Sequence, residues 1–197
     1  MSLTKTESRS AVFNLPNQLT IARLVLAIVL FGLITYQYWL TGLVVFVVAA
    51  ATDWLDGYFA RKYGLVTVLG RILDPFVDKI IICGTFICLV GQPVGEDPRS
   101  GIAGWMAVVI VGRELLITAL RSFLEQQGAD FSAAMSGKLK MVVQCIAAGV
   151  SLFALSYAAD SEPDWIQLLL PVSVWSALAL TVYSGVEYVR RAMQLMA

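Results

Sequence analysis

No histidine occurs among the 197 residues of this chain. Its absence removes Ser-His-Asp and Cys-His nucleophile systems, an imidazole proton shuttle and His-rich zinc sites, all of which need an imidazole. Acid–base chemistry is left to carboxylates, lysine or tyrosine. Charge is also scarce: Asp, Glu, Lys and Arg make up 14% of the residues, against roughly 25% in a soluble domain. The 14 Lys and Arg equal the 14 Asp and Glu, so no net positive charge attracts nucleic acid. Cys83, Cys88 and Cys145 are odd in number, lie in apolar runs and form no CxxC pair, which excludes a disulfide framework and a metal knuckle. They read as packing residues. What abounds is apolar: 58% of the chain is hydrophobic, the composition of an integral membrane protein with a single domain over 1–197.

A bilayer core about 30 Å thick needs about 20 apolar residues per helix, and counting uncharged runs gives about six spans. They are expected near 17–39, 42–61, 68–90, 102–121, 140–157 and 165–188, with an interfacial aromatic turn over 36–42 between the first two. The fold class is therefore all-α and polytopic. Residues 7–15, just before Pro16, fit a short amphipathic helix on the membrane interface, with a frayed tail as the alternative. In the six-span arrangement Lys5, Arg9, Arg61, Lys62, Arg121, Lys138, Lys140, Arg190 and Arg191 share one side, and only Arg99 lies opposite. The positive-inside rule makes that side, with both termini, cytoplasmic. With about 16 residues before the first span, Glu7 among them, no organelle transit peptide is expected, which favours a bacterial inner membrane.

Four carboxylates stand out against this background. Asp53 and Asp56 fall in the second span and Asp74 and Asp78 in the third, where an unpaired acid costs several kcal/mol. At about 100° per residue, Asp53, Asp56, Gly57, Ala60 and Arg61 form one helical stripe, and Gly70, Asp74 and Asp78 another. A short turn joins the two spans, so the stripes can face each other and the four acids can converge. Their mutual repulsion and desolvation would be relieved by divalent cations, and an all-oxygen ligand set suits two Mg²⁺ or Mn²⁺ ions. Two metals clamping one substrate suit attack at phosphorus. Buried salt bridges to Arg61, Arg71 and Lys79, or a cation channel whose permeation site is the acid cluster, are the alternative readings.

The sequence reads DWLDGYFAR at 53–61, then eight residues, then GRILDPFVD at 70–78. It fits DxxDGxxAR(x8)GxxxDxxxD at all eight fixed positions and so resembles the CDP-alcohol phosphotransferases. The resemblance implies a six-span, usually dimeric enzyme that moves a phosphatidyl or similar group from a CDP-linked donor to an alcohol and releases CMP. It makes Asp53, Asp56, Asp74 and Asp78 the metal ligands and Asp78 also the general base. Asp56, Gly57, Ala60, Arg61 and Gly70 would bind the donor, with Gly57 and Ala60 leaving room for cytidine and Arg61 holding the diphosphate.

Further runs narrow the acceptor. LPNQLTIAR at 15–23 and LDPFVDK at 73–79 resemble the subfamily that makes phosphatidylglycerophosphate, although Val77 stands where that subfamily often has Ala and cardiolipin synthases share much of the pattern. RELLITALR at 113–121 and SGKLK at 136–140 are more similar to the glycerophosphate enzymes. The implied substrates are CDP-diacylglycerol and sn-glycerol 3-phosphate, met within membrane lipid. A phosphorylated acceptor needs cations, and Arg113, Arg121 and Lys138 are the candidates. Arg113 and Arg121 lie about 80° apart on one helix, and Lys138 stands at the cytoplasmic start of the next. Lys140 is a weaker candidate because it points about 200° away, and pairing of Arg113 with Glu114 is disfavoured because consecutive helical residues diverge by about 100°.

Overall fold

The computed structural model describes residues 15–63, 68–93, 99–127, 135–157 and 163–196. Among them are six helices and no strand: α1 Leu15–Thr35, α2 Trp39–Tyr63, α3 Val68–Leu89, α4 Gly104–Gln126, α5 Met135–Leu155 and α6 Asp164–Met196. Of the interfacial segment expected at 7–15, only Leu15 is a described residue, and it opens α1. The chain divides into two compact units, Met1–Thr85 and Phe86–Ala197.

In the first unit α1 begins with Pro16 in its first turn, where a missing N–H costs nothing. It stops at a Schellman motif: Gln37 adopts φ 62°, its N–H donates to the Ile34 carbonyl at 3.0 Å, and the Tyr38 N–H donates to the Leu33 carbonyl at 2.8 Å. The chain thus turns within three residues and starts α2 at Trp39, which packs back along α1. Ala27, Leu30 and Ile34 of α1 and Phe46 and Ala49 of α2 are buried. On α3, a Cβ at Gly84 would collide with the ring of Phe31 from α1, so glycine there lets the two helices close together.

In the second unit α5 packs along α6, and α4 against α6. Small residues line the seams: Ala147, Ala148, Ser151 and Ala154 on α5, and Ser173, Ala177 and Ser184 on α6, are all buried. Such residues allow close backbone approach where lipid removes the hydrophobic drive between helices. The loop before α4 is pinned to this pair. The Ser151 hydroxyl donates to the Ser100 carbonyl at 2.5 Å and the Arg99 guanidinium to the Tyr157 carbonyl at 3.2 Å. Arg99, the one cation expected on the far side, thus satisfies a carbonyl just beyond the end of α5. Gly101 needs to be glycine twice over: its φ is 71°, and a Cβ would sit 3.1 Å from Leu170 Cγ.

Helix ends differ from the expected spans where charges truncated the count. The fifth helix starts at Met135 rather than near 140, and the sixth runs to Met196 rather than 188. The extension of α6 is held by packing, since Tyr188 and Ala192 bury against Ile117 and Leu124 of α4. Gly137–Leu155, with 19 residues, and Asp164–Leu195, with 32, are long and apolar enough to cross a membrane, and Thr20–Thr35 and Trp39–Thr52 are shorter apolar stretches. Large apolar side chains such as Ile28, Val108, Leu168, Val172 and Trp175 are exposed, while Arg23, Glu114, Lys140 and Gln144 are buried. This polarity is reversed from that of a soluble domain.

Candidate active site

The donor and metal residues expected from the sequence lie on two helices. Asp53, Asp56, Gly57, Ala60 and Arg61 occupy the C-terminal half of α2, and Gly70, Asp74 and Asp78 the first three turns of α3. Of these eight, only the side chain of Asp78 is among those described. Among the described residues no three His, Cys, Asp or Glu side chains gather; Asp53, Asp56 and Asp74 lie outside that set.

Asp78 is half-buried, its side chain 31% exposed, and Arg23 from α1 donates from Nη1 to its Oδ1 at 2.8 Å. Arg23 is wholly enclosed, with 0% exposure. The salt-bridge alternative named Arg61, Arg71 and Lys79; among the described contacts a further cation on Asp78, Arg23, comes from the first helix. The signal was present in the sequence: an arginine within an apolar helix needs a partner. The distance in sequence, 55 residues, hid which one.

The acceptor candidates belong to the second unit, where a polar network crosses α4, α5 and α6. Arg113 donates from Nη1 to Glu114 Oε1 at 3.3 Å and from Nη2 to Ser184 Oγ at 3.1 Å. Its guanidinium lies 5.5 Å from the centroid of the Tyr188 ring, within cation–π range. The Lys140 ammonium donates to the same Glu114 oxygen. Farther along the α5–α6 seam, Gln144 Nε2 donates to Thr181 Oγ1 at 2.8 Å. A Cβ at Gly185 would stand 3.1 Å from Arg113 Cγ, so glycine gives this side chain its channel.

Two expectations change here. Arg113 does pair with its neighbour Glu114, because the long arginine side chain bridges the angular gap between consecutive helical positions. Lys140, the weaker candidate by helical angle, joins Arg113 through Glu114, whereas Lys138 is exposed. Arg121 lies two turns beyond Arg113, half-buried, with its Nε enclosed and lacking a hydrogen-bond partner among the described residues. The structure therefore brings together Arg113, Glu114, Lys140, Ser184 and Tyr188, and it leaves Lys138 outside that group. Glu114 and Lys140 were legible as buried charges only through each other.

An arginine-held carboxylate that closes a signature of acids and small residues on two successive helices defines a class of protein. The family model for CDP-alcohol phosphatidyltransferase matches residues 13–183, and the chain belongs to that family. A Bacillus subtilis protein named CDP-diacylglycerol--glycerol-3-phosphate 3-phosphatidyltransferase is 34% identical over 193 residues, covering 90% of this chain and 94% of the relative. A protein of Arabidopsis thaliana, CDP-diacylglycerol--glycerol-3-phosphate 3-phosphatidyltransferase 2, is 31% identical over 204 residues, with 97% and 84% covered. A Mycobacterium tuberculosis protein named probable phosphatidylglycerophosphate synthase is 33% identical over 192 residues, with 94% and 85% covered.

Proposed function

We propose that this protein is a membrane-embedded phosphatidyltransferase that makes phosphatidylglycerophosphate and CMP from CDP-diacylglycerol and sn-glycerol 3-phosphate. The observation that carries the reading is near-full-length similarity to relatives bearing that name, 90% of this chain against 94% of the Bacillus subtilis protein. The intact signature at 53–78 supports the donor half of the reaction.

In this reading a hydroxyl oxygen of glycerol 3-phosphate attacks the phosphorus that carries diacylglycerol. The bond from that phosphorus to the bridging oxygen breaks, and CMP leaves. Asp78 takes the hydroxyl proton. Arg61 holds the diphosphate, Gly57 and Ala60 leave space for cytidine, and Asp56 and Gly70 complete the donor pocket. Asp53, Asp56, Asp74 and Asp78 would hold two Mg²⁺ or Mn²⁺ ions. The donor set fits: it is all carboxylate, and Asp78 keeps part of its surface open while Arg23 holds one oxygen. When bound, the ions would supply neutralisation of the diphosphate and so a better leaving group.

Arg113, Arg121 and Lys138 would grip the acceptor phosphate, with Arg113 the anchor because its guanidinium is held on three sides. The full proposal is one domain of six spans in the inner membrane, multi-pass, working as a homodimer. Both termini and the site would face the cytoplasm. The apolar exterior and buried polar network support the membrane placement, and the distribution of Lys and Arg supports the orientation.

A panel of acceptors tests the assignment. Purified protein with CDP-diacylglycerol and Mg²⁺ or Mn²⁺ is expected to form product lipid with glycerol 3-phosphate and not with phosphatidylglycerol. Product from phosphatidylglycerol alone would make the protein a cardiolipin synthase, and product from neither would reject both acceptors.

A further inference from the structure

Arg23 is the most completely enclosed charged side chain described, at 0% exposure, yet it lies on α1, outside the signature sequence. A cation buried in an apolar helix at bilayer depth is costly unless it meets an anion, and one anion it meets is the last acid of the signature, 2.8 Å away. The meeting is built in. Phe31 of α1 seats over Gly84 of α3, eight residues after Arg23 and six after Asp78. Two contacts advancing in the same direction along both helices make α1 and α3 parallel neighbours with a fixed register. That register delivers the guanidinium to the carboxylate. Thr20, one turn before Arg23, is buried as well, and Val77, beside Asp78, is enclosed while Phe76 is exposed. The helix around Asp78 is thus half packed and half open, and the arginine comes from the packed side.

We propose that Arg23 is the positioning residue for Asp78, fixing the plane of its carboxylate through Oδ1 so that it meets the acceptor hydroxyl in a single geometry. This assignment rests on the phosphatidyltransferase reading. An aspartate has two rotatable side-chain bonds, and a guanidinium in a rigid pocket removes that freedom. Placement errors of about 1 Å at a reacting group cost about 10²-fold in rate, and that is the scale of the effect.

The test is a cycle of Arg23→Met and Asp78→Asn in the full chain, with Arg23→Lys and Arg23→Gln as further variants. Arg23→Met is expected to lower kcat by about 10²-fold while the KM values for CDP-diacylglycerol and glycerol 3-phosphate change little. Arg23→Lys should recover part of the loss and Arg23→Gln less. In the Asp78→Asn background, Arg23→Met should cost nothing further, because Arg23 acts through that carboxylate. Equal losses in both backgrounds would overturn the proposal, as would wild-type kcat in Arg23→Met. A second readout does not need turnover. Electron paramagnetic resonance of added Mn²⁺ should show the wild-type stoichiometry in Arg23→Met with an altered spectrum, and no further change when Arg23→Met is added to Asp78→Asn. An unchanged spectrum in Arg23→Met would overturn the assignment even if the wild type released no CMP, whereas an inactive wild type with the expected spectra would reject the functional reading alone. If Arg23→Met does not fold, Arg23→Lys and Arg23→Gln carry the same comparisons.

Discussion

Glu114→Gln should destabilise the protein far more than its isosteric shape suggests. Glu114 is 8% exposed and Lys140 5% exposed, so both are essentially out of solvent, and Glu114 receives hydrogen bonds from Lys140 and Arg113. Removing one partner of a buried pair costs about 3–5 kcal/mol, because a buried charge loses an opposite charge in contact with it. At about 2–4 °C per kcal/mol for a chain of this size, the midpoint should fall by roughly 6–20 °C. Lys140→Met should cost less, since Glu114 then keeps Arg113. In the double variant, Lys140→Met removes the ammonium that loses its carboxylate in Glu114→Gln, so the double should be more stable than Glu114→Gln alone. Cys83, Cys88 and Cys145 form no disulfide and are half-buried, so a thiol-reactive fluorogenic dye reports their exposure as detergent-solubilised protein is heated. Simple addition of the two single effects, or a larger loss for Lys140→Met than for Glu114→Gln, would show that the two buried charges are not coupled.

Asp78→Asn should lower turnover by about 10²- to 10⁴-fold, the usual contribution of a general base, while most metal binding persists; steady-state CMP release and Mn²⁺ titration check both halves. Arg113→Lys keeps the charge but loses the planar fork, so the KM for glycerol 3-phosphate should rise by about tenfold and that for CDP-diacylglycerol hardly at all. Gly185→Ala brings a methyl group to 3.1 Å from Arg113 Cγ, and the same KM should rise a few-fold as the arginine shifts. Chelation should abolish CMP release, with Mg²⁺ or Mn²⁺ restoring it and Ca²⁺ doing so poorly, because Ca²⁺ prefers longer bonds and more ligands.

Several features of the fold were legible because they depend on local sequence. Uncharged runs located all six helices among the described residues, and the spacing of 53–78 marked the signature. Runs end at charges whereas helices do not, which is why α5 begins before Lys138 and α6 outlasts Arg190. The first turn carries Gln37 in a left-handed conformation, where no glycine announces it. Pairings across helices were the least legible. Arg23 with Asp78 needs the register of α1 on α3, and Lys140 with Glu114 needs that of α5 on α4. Helical angle alone separated Lys140 from the acceptor candidates, but a side chain of that length reaches a neighbouring helix from more than one angle.

The transferred group and its acceptor define the activity of this protein. Protein purified in detergent, given CDP-diacylglycerol, labelled sn-glycerol 3-phosphate and Mg²⁺ or Mn²⁺, should move label into solvent-extractable lipid with one CMP released for each lipid formed. CMP released without label in lipid, or no CMP at all, would contradict the account.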